Sequence, residues 1–405
     1  MPQIADLLQP GQRIFVAGSS NEPGGLLEEL RTRALPEGLH FIQFPLAGYN
    51  RQDFTAYEPT AQQTTFFMTP HLKDADPARL HFLPMQMRRV YDYLSSGVDV
   101  ALLQVARDAD GRLRLGPNVD FAAAVLGSPA RVAAELNTAI TAPAGAPLID
   151  ESRIDVLLTT QRPLFEMPSP QINDTARAIG ALVAAEIRDG DCIQTGIGGI
   201  PAAILDRLGG KNDLGMHGGL IDDGGMGLIR NGNISGANKE IDTGRHVTGM
   251  ALGSRTLLDW LAETPQVELR SADYTHEAAV IGRLSNFVSV NSAVEVDLYG
   301  QVNAEMAGGR QISGTGGSVD FMRAARASPG GRSIIAMTAT ARGGSVSRIV
   351  PKAELVTALR TDVDMIVTEY GVARLRDAPL RARAEALIDI AAPQFRDELR
   401  SFIPG

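Results

Sequence analysis

Cysteine is almost absent from the chain: Cys192 is the single one among 405 residues. One cysteine cannot form an intrachain disulfide, so a disulfide-stabilised secreted fold is excluded. The six histidines are scattered and show no H-x-x-x-H spacing, and a C-x-x-C pair is impossible. Both spacings that would signal zinc are therefore missing, and we expect no metal site.

Long apolar runs and a basic surplus are missing as well. No apolar run reaches the roughly 18 residues that a membrane-spanning helix requires. The first residues, MPQIADLLQPGQR, lack the apolar core of a signal peptide, which favours a cytoplasmic protein with no membrane partner. The formal net charge is −9, whereas non-specific nucleic-acid binders carry a positive stripe, so we expect no nucleic-acid partner.

The chain is rich in glycine and otherwise has the composition of a globular protein. Hydrophobic residues make up 44% and charged residues 21%, values that disfavour disorder and a coiled coil. The 42 glycines indicate many tight turns and places where the backbone approaches a ligand. A length of 405 residues predicts two or three domains, at about 150 residues each.

Four stretches recur in the same order in the two halves of the chain. The paired stretches are 18–30 with 196–208, 108–113 with 297–302, 116–121 with 316–321, and 154–160 with 363–369. Four ordered matches predict a duplicated unit, and recurrent turn sequences of an α/β chain are the alternative. The proline-rich connector PLFEMPSP then separates an N-terminal domain at 1–165 from a C-terminal catalytic domain at 171–405.

Short apolar runs alternate with amphipathic helical stretches in both halves. The runs are rich in β-branched residues, as in DVALLQV and DMIVTE, and the helical stretches include TARAIGALVAAEI. This alternation predicts an α/β fold with two similar, open, mostly parallel sheets covered by helices. In such sheets ligands bind beyond the carboxyl ends of the strands, so the residues after each apolar run are the informative ones.

A glycine-rich turn at 196–201 follows the strand pattern CIQT and opens a helix. It is similar to a dinucleotide fingerprint, but Pro201 occupies the third glycine position of G-x-G-x-x-G, which disfavours NAD binding. Free N–H groups at a helix start favour an anion or a carbonyl oxygen. Gly198 and Gly199 are therefore candidates for a ligand-facing turn, and a purely structural turn is the alternative.

Glu295 is a carboxylate inside an apolar strand pattern, in the stretch NSAVEVD. Its desolvation is costly unless the group is paired or used. In the repeat, Asp297 aligns with Asp108, whereas Glu295 aligns with Ala106. We interpret Asp297 as a turn residue shared by both copies and Glu295 as a candidate nucleophile specific to the second copy. A partly exposed strand glutamate is the alternative.

Two further glycine loops belong to the second half. Gly316 and Gly317 precede a predicted helix, and Gly371 follows the strand pattern DMIV in the stretch TEYG. Gly371 aligns with Arg162, so this glycine also occurs in the second copy alone. Together with Glu295, the loops predict a nucleophile and accessible backbone N–H groups at one sheet edge, which are the requirements of acyl chemistry.

These stretches resemble the acetyl-CoA hydrolase/transferase family, which belongs to the family I CoA-transferases. The matching stretches are TGIGGIP, NSAVEVDLYGQVNAE, QISGTGGSVDF, GGRSIIAMTATARGGSVSRIVP, VTEYGVARLR and RARAEALIDIAAPQFR, with a looser match at DVALLQVARDADGRLRLG. The chain departs from the family pattern at Gly218-Gly219, where a Ser/Thr-Glu pair is common. It departs again at 391–395, where AAPQF replaces A-H-P-x-F.

The resemblance implies roles for individual residues. It implies that Glu295 attacks the acyl-CoA and that Gly371 and Gln394 contact CoA. It also implies CoA contacts in the polar turn formed by Ala272, Asp273, Tyr274, Thr275 and His276. The glycines at 198, 199, 316 and 317 would then form oxyanion or substrate loops.

The implied activity is that of an acyl-CoA:carboxylate CoA-transferase working by a ping-pong mechanism through a glutamyl-CoA thioester. It would exchange CoA between a short-chain acyl-CoA and a carboxylic acid such as acetate, with CoA as a substrate and no permanently bound cofactor. A homodimer or a higher homo-oligomer is expected. One alternative is an acyl-CoA hydrolase that uses the same glutamate. The other is a non-catalytic acyl-CoA sensor, which the presence of Glu295 disfavours.

Overall fold

A computed structural model describes residues 4–403 of the chain. The chain divides into two compact units. The first comprises the residues up to Pro168 together with Val247–Thr275, and the second comprises Ser169–His246 and the residues from His276 onward. The division after Pro168 lies inside the proline-rich connector at 163–170.

The segment Val247–Thr275 belongs to the first unit because its backbone is hydrogen-bonded there. Val119 N–H donates to Gly249 O at 2.9 Å, and Leu269 N–H donates to Gly145 O at 3.0 Å. The predicted boundaries assign this segment to the C-terminal domain, since no change in composition marks the return of the chain to the first unit. The division into a domain at 1–165 and a domain at 171–405 stays a prediction.

The first unit is built on an eight-stranded, mostly parallel sheet. Its strands are, in spatial order, Leu80–Phe82, Gln62–Thr65, His40–Gln43, Arg13–Val16, Val100–Arg107, Arg131–Asn137 and Val156–Thr160, with Leu113–Leu115 antiparallel to Val100–Arg107. Residues 100–106 are buried without interruption. Such a run is typical of a central parallel strand that is covered on both faces.

Helices and short strands complete the first unit. Its α-helices are Gly24–Arg31, Met87–Leu94, Ala122–Leu126, Arg255–Ala262 and Ala272–Thr275, and its further strands are Met250–Ala251 and Val267–Leu269, while His246–Thr248 begins one residue before the segment. Helix Gly24–Arg31 packs Leu26, Leu27 and Leu30 into the core that also holds Phe41. Their spacing places these leucines on one face of the helix.

The second unit is built on a six-stranded sheet. Its strands are, in spatial order, Gly215–Met216, Cys192–Gln194, Phe287–Asn291, Arg332–Ala336, Met365–Thr368 and Gly371–Arg374. The first five are parallel, and Gly371–Arg374 returns antiparallel beside Met365–Thr368. Both units therefore have the α/β class and the mostly parallel sheets that the sequence predicts, which confirms the predicted fold.

Seven α-helices and several short strands surround this second sheet within the described residues. The helices are Asp174–Glu186, Gly199–Asp206, Asp223–Arg230, Ala278–Ile281, Ser318–Ala327, Leu380–Asp389 and Arg396–Arg400. The short strands are Leu220–Ile221, Glu295–Asp297, Val302–Asn303, Met306–Ala307, Arg310–Gln311, Thr340–Ala341, Val346–Ser347 and Ile349–Val350. Within residues 4–403, no helix combines the length and the apolar character that crossing a bilayer requires.

The same hydrogen-bonded turn occurs in both units. Asp108 Oδ1 accepts from the second and fourth following N–H groups, at 3.0 and 2.9 Å. Asp297 Oδ1 does the same at 3.0 and 2.9 Å. Each turn contains a glycine with positive φ, Gly111 at +79° and Gly300 at +87°. The matching geometry confirms the interpretation of Asp297 as a turn residue shared by the two copies.

Candidate active site

Four chain segments emerge together at the carboxyl edge of the second sheet. They follow the adjacent parallel strands Cys192–Gln194, Phe287–Asn291, Arg332–Ala336 and Met365–Thr368. Asn291 Nδ2 donates to Gln194 Oε1 at 3.3 Å, which joins the ends of the first two strands. Glu295 lies on the second of these segments, at the sheet edge where open α/β sheets bind ligands.

Asn303 orients the region around Glu295. Strand Glu295–Asp297 pairs antiparallel with Val302–Asn303, and Glu295 is directly opposite Asn303. The Asn303 side chain is fully buried, and its Oδ1 accepts from the backbone N–H groups of Glu305 and Met306, each at 3.0 Å. Its Nδ2 donates to Met306 O at 3.0 Å. These bonds fix the amide with its other N–H directed at the carboxylate.

Two hydrogen-bond donors converge on one oxygen of the half-buried Glu295 side chain. Asn303 Nδ2 lies 3.0 Å from Oε1, and the backbone nitrogen of Glu354 lies 2.7 Å from the same oxygen. Within the described part of the chain, no residue donates a hydrogen bond to Oε2. The carboxylate is therefore held in one orientation with one oxygen free to react, as a nucleophile requires.

Two backbone hydrogen bonds and one bond to a side chain connect the Glu295 strand to the turn that precedes Gly371. Val296 N–H donates to Arg348 O at 2.8 Å, and Arg348 N–H donates to Ala339 O at 2.9 Å. Ala339 N–H in turn donates to Glu369 Oε2 at 2.8 Å. The segments after three of the four parallel strands are thus joined in one hydrogen-bonded network.

Arg348 is a half-buried guanidinium in this network that no sequence motif singled out. Burial lowers its pKa, and the nearby Glu369 carboxylate partly raises it. Its Nε is buried and has no hydrogen-bond partner among residues 4–403. A guanidinium with unused donors suits a carboxylate, which it can bind through two parallel hydrogen bonds. A single arginine in SVSRIV has no distinguishing spacing, so the sequence contains no signal for it.

Gly371 begins the returning strand with a φ of +149°, a conformation that favours glycine. A Cβ at this position would have Ile390 Cγ2 as its nearest neighbour, at 3.4 Å, so space exists for a methyl group. Gln394 is exposed, and its Nε2 donates to Gly344 O at 3.3 Å. The CoA contacts of Gly371 and Gln394 stay predictions.

The two candidate glycines of the first predicted glycine loop, Gly198 and Gly199, have different surroundings. Gly198 has a φ of +112° and caps helix Gly199–Asp206, and open space surrounds its missing side chain. A Cβ on Gly199 would lie 2.7 Å from Gln171 O, so this glycine is required for close packing. Of these two candidates, Gly198 leaves open space that a ligand could occupy and Gly199 does not, and the substrate role of both residues stays a prediction.

The second predicted glycine loop packs on a buried histidine. A Cβ on Gly317 would lie 2.4 Å from His276 Nε2, and one on Gly219 would lie 3.1 Å from the same atom. Burial, and secondarily His217, lower the pKa of His276 to about 3, so its ring is neutral. Gly316 has a φ of +54° and is half-buried. Gly317 and His276 thus have a packing role, and their ligand contacts stay predictions.

The polar turn predicted to contact CoA is divided between the two units. Ala272 and Thr275 are fully buried in helix Ala272–Thr275 of the first unit, whereas His276 belongs to the second. Asp273 Oδ1 accepts from Ser271 Oγ at 2.5 Å. Within this turn only Asp273 and Tyr274 expose part of their side chains, so they are the members whose side chains could reach CoA.

A polar cleft of about 230 Å³ lies at the carboxyl edge of the first sheet, and Glu22 lines it. Burial raises the pKa of Glu22 to about 7, and hydrogen bonds to Gln43 and Asn50 partly lower it. Gln43 Nε2 donates to Glu22 Oε1 at 2.8 Å. A carboxyl group in this environment carries its proton into the neutral range.

We expect the contribution of Glu22 to the stability of the protein to fall as the pH rises from about 4.5 through 7. The folded pKa is raised, so the unfolded state binds fewer protons over this range and the free energy of unfolding decreases. Glu22→Gln imitates the protonated form, and it should be more stable than the wild type at pH 8 by up to about 3 kcal/mol. At pH 4 the two should melt alike. Thermal melting at both pH values measures this, and a pH-independent difference would contradict it.

Part of the chain matches a known protein family. Residues 253–402 match the acetyl-CoA hydrolase/transferase C-terminal domain. Within residues 4–403 there is no cluster of three or more His, Cys, Asp or Glu side chains that could hold a metal ion.

Known relatives extend the similarity beyond that domain. A 4-hydroxybutyrate coenzyme A transferase of Clostridium kluyveri is 43% identical over 306 residues, which cover 75% of this chain and 71% of the relative. A succinyl-CoA:acetate/propanoyl-CoA:succinate CoA transferase of Fasciola hepatica is 31% identical over 97% of this chain and 84% of its own. The crystal structure of RipA from Yersinia pestis superposes with a TM-score of 0.91 at 30% identity, covering 98% of this chain and 94% of RipA. The chain therefore belongs to the acetyl-CoA hydrolase/transferase family, as its sequence predicts, and is an enzyme of the CoA-transferase type.

Proposed function

We propose that the protein is an acyl-CoA:carboxylate CoA-transferase in which Glu295 is the nucleophile. The observation that supports this most directly is the environment of the Glu295 carboxylate. Two donors hold Oε1, and Oε2 has no donor among residues 4–403. A glutamate anhydride and a glutamyl thioester lie close in energy to the substrates and products, so no ATP is needed.

In the first half-reaction, Glu295 Oε2 attacks the thioester carbonyl carbon of the acyl-CoA. The C–S bond breaks, CoA leaves as a thiolate, and a mixed anhydride joins Glu295 to the acyl group. The thiolate then attacks the glutamyl carbonyl carbon. The bond from that carbon to Oε2 breaks, which releases the first carboxylate and leaves a Glu295–CoA thioester. The acceptor carboxylate repeats both steps in reverse.

Asn303 and the Glu354 backbone N–H have a second role in this scheme. During attack on the glutamyl carbonyl, negative charge develops on Oε1, to which both groups already donate at 3.0 and 2.7 Å. They therefore serve as the oxyanion hole for the enzyme's own acyl group. One donor of this kind is typically worth about 3 kcal/mol of transition-state stabilisation. Arg348 is the proposed ligand for the carboxylate of the incoming acid.

We further propose short-chain acyl-CoA esters and small carboxylic acids such as acetate or succinate as substrates. The names of the Clostridium and Fasciola relatives support this choice of substrate class. CoA enters and leaves as a substrate, with no permanently bound cofactor. A cytoplasmic location and a homo-oligomeric assembly, as expected from the sequence and the family resemblance, belong to the same proposal.

A panel of acyl-CoA donors assayed with and without carboxylate acceptors tests the proposed function. A transferase forms a new acyl-CoA at a rate that depends on the acceptor acid. CoA release that is independent of any acid would instead identify a hydrolase that uses the same glutamate. Tight acyl-CoA binding without turnover in any combination would identify a sensor.

Each chain should form one covalent adduct. In the second unit, Glu295 is opposite Asn303 in an antiparallel strand pair. At the equivalent position of the first unit, Ala106 is opposite Arg114. The first unit therefore lacks a nucleophile at this position. Incubation with acyl-CoA followed by mass spectrometry of the trapped glutamyl-CoA species should give one CoA per chain. Two adducts per chain would refute the assignment of a single reactive unit.

A further inference from the structure

A cavity of about 420 Å³ lies at the amino edge of the second sheet, opposite to the edge that carries Glu295. Gly331 precedes strand Arg332–Ala336, Val363 precedes Met365–Thr368, and Leu375 follows the antiparallel strand that ends here. A five-residue strand spans roughly 16 Å, so this cavity is separate from the proposed active site. Its volume lies in the range of pockets that bind small molecules.

Arginine dominates the lining of this cavity. Four guanidinium side chains line it, and Asp377 is the single carboxylate among the lining residues. The arginines are at positions Arg326, Arg360, Arg376 and Arg383. The lining is therefore strongly positive, although the chain as a whole has a net charge of −9. Concentrated charge of one sign in a concave site attracts ions of the opposite sign.

Ion pairs within the protein do not neutralise all of the positive charge that lines this cavity. Arg376 is bound to the buried Asp364, with Nη2 2.6 Å from Oδ2, and so has a structural partner. The Arg360 guanidinium makes no hydrogen bond or ion pair with any residue in the described range 4–403. Within this range, Arg360 forms hydrogen bonds through its main chain alone, and its N–H donates to Gln301 Oε1 at 2.8 Å. Its side chain is half-buried and available to a ligand.

Arg383 also has unused donor capacity at this cavity. Its Nη2 donates to Arg360 O at 2.6 Å, but its Nε is buried without a partner in the described part of the chain. Burial and the neighbouring Arg360 lower the pKa of Arg383. Adjacent guanidinium groups that repel each other are stabilised when an anion binds between them.

We infer that this cavity is a binding site for a small phosphorylated anion that carries a diphosphate group. Guanidinium groups bind phosphate oxygens through paired N–H donors, and several arginines around one cavity match a ligand with more than one phosphate. A monocarboxylate would leave most of these donors unused. The diphosphate can belong to a nucleotide or be free inorganic pyrophosphate, and both present the same group to Arg360 and Arg383.

Isothermal titration with inorganic pyrophosphate and with ADP, in the absence of acyl-CoA, tests this inference. Wild-type protein should bind one pyrophosphate per chain. Arg360→Gln should weaken binding about tenfold without lowering the melting temperature, because the side chain has no internal partner to lose. Arg381→Gln is the matched control, since Arg381 lies on the same helix as Arg383, does not line the cavity and pairs with Glu385. Its affinity for pyrophosphate should be that of the wild type.

The two ligands distinguish the source of the diphosphate. Tighter binding of ADP identifies a nucleotide site, and equal or tighter binding of pyrophosphate identifies a site for the free anion; either result supports the inference. Absence of saturable binding of both, or equal affinity in Arg360→Gln and wild type, would overturn it. Binding is measured without turnover, so failure here would leave the proposed transferase function unaffected.

Discussion

Replacing Glu295 by glutamine should reduce the transfer rate by several orders of magnitude while acyl-CoA binding is retained. The amide keeps the shape of the side chain, and its oxygen can still accept from Asn303 Nδ2 and the Glu354 N–H. It cannot form an anhydride, because it lacks the carboxylate oxygen that attacks the thioester. Steady-state kinetics and a CoA-ester binding titration on the same preparation measure the two effects.

Glu385→Gln serves as the control, because this exposed glutamate of the same unit pairs only with Arg381 at 3.0 Å among the described residues. Its activity should be that of the wild type. Borohydride or hydroxylamine added after incubation with acyl-CoA should inactivate the wild type and the control, but leave the residual activity of Glu295→Gln unchanged. If Glu295→Gln keeps more than a few per cent of the wild-type transfer activity, Glu295 is not the nucleophile.

Gly371→Ala should lower kcat/KM between tenfold and a hundredfold. The alanine methyl group would lie at the start of strand Gly371–Arg374. In the proposed site, the thioester of the substrate lies close to this position. The φ of +149° also disfavours alanine, at a cost of about 1–3 kcal/mol in stability. The expected result is therefore a lower melting temperature together with a loss of activity per folded molecule.

Gly232→Ala separates these two effects. Gly232 also has a positive φ, +82°, with open space at its missing side chain, and it lies on the surface of the same unit. Its substitution should lower the melting temperature without changing kcat/KM. If both variants lose stability and both keep normal turnover, Gly371 is a turn glycine and has no role at the thioester.

The strand and helix pattern was predictable because hydrophobic periodicity is a local property of the sequence. The buried run at 100–106 and the strand Met365–Thr368 both follow predicted apolar stretches. The path of Val247–Thr275 was not predictable in this way. Its assignment to the first unit depends on hydrogen bonds such as Val119 N–H to Gly249 O, whose partners are far apart in the sequence and show no shared pattern.

The site shows the same distinction between local and long-range information. Comparison of the two repeats made Glu295 a candidate, because its aligned partner is an alanine, and the family resemblance then implied its role as nucleophile. Asn303 lies 8 residues away and faces Glu295 across a hairpin, and Glu354 is 59 residues away and contributes only its backbone N–H. A backbone donor leaves no trace in residue identity. Gly317 shows the converse, since a conspicuous glycine is required by the packing of His276.

The two hydrogen bonds to Glu295 Oε1 determine which of its carboxylate oxygens is exchanged during turnover. In the proposed cycle, Oε2 departs with the released acid, and an oxygen of the acceptor acid replaces it. Oε1 should stay throughout, because the hydrogen bonds from Asn303 and the Glu354 N–H hold the carboxylate in one orientation. With an acceptor labelled in both carboxylate oxygens by ¹⁸O, the enzyme should gain one heavy oxygen per active site and never two, however many turnovers it completes. The glutamate side chain thus keeps one original atom and exchanges the other in every cycle.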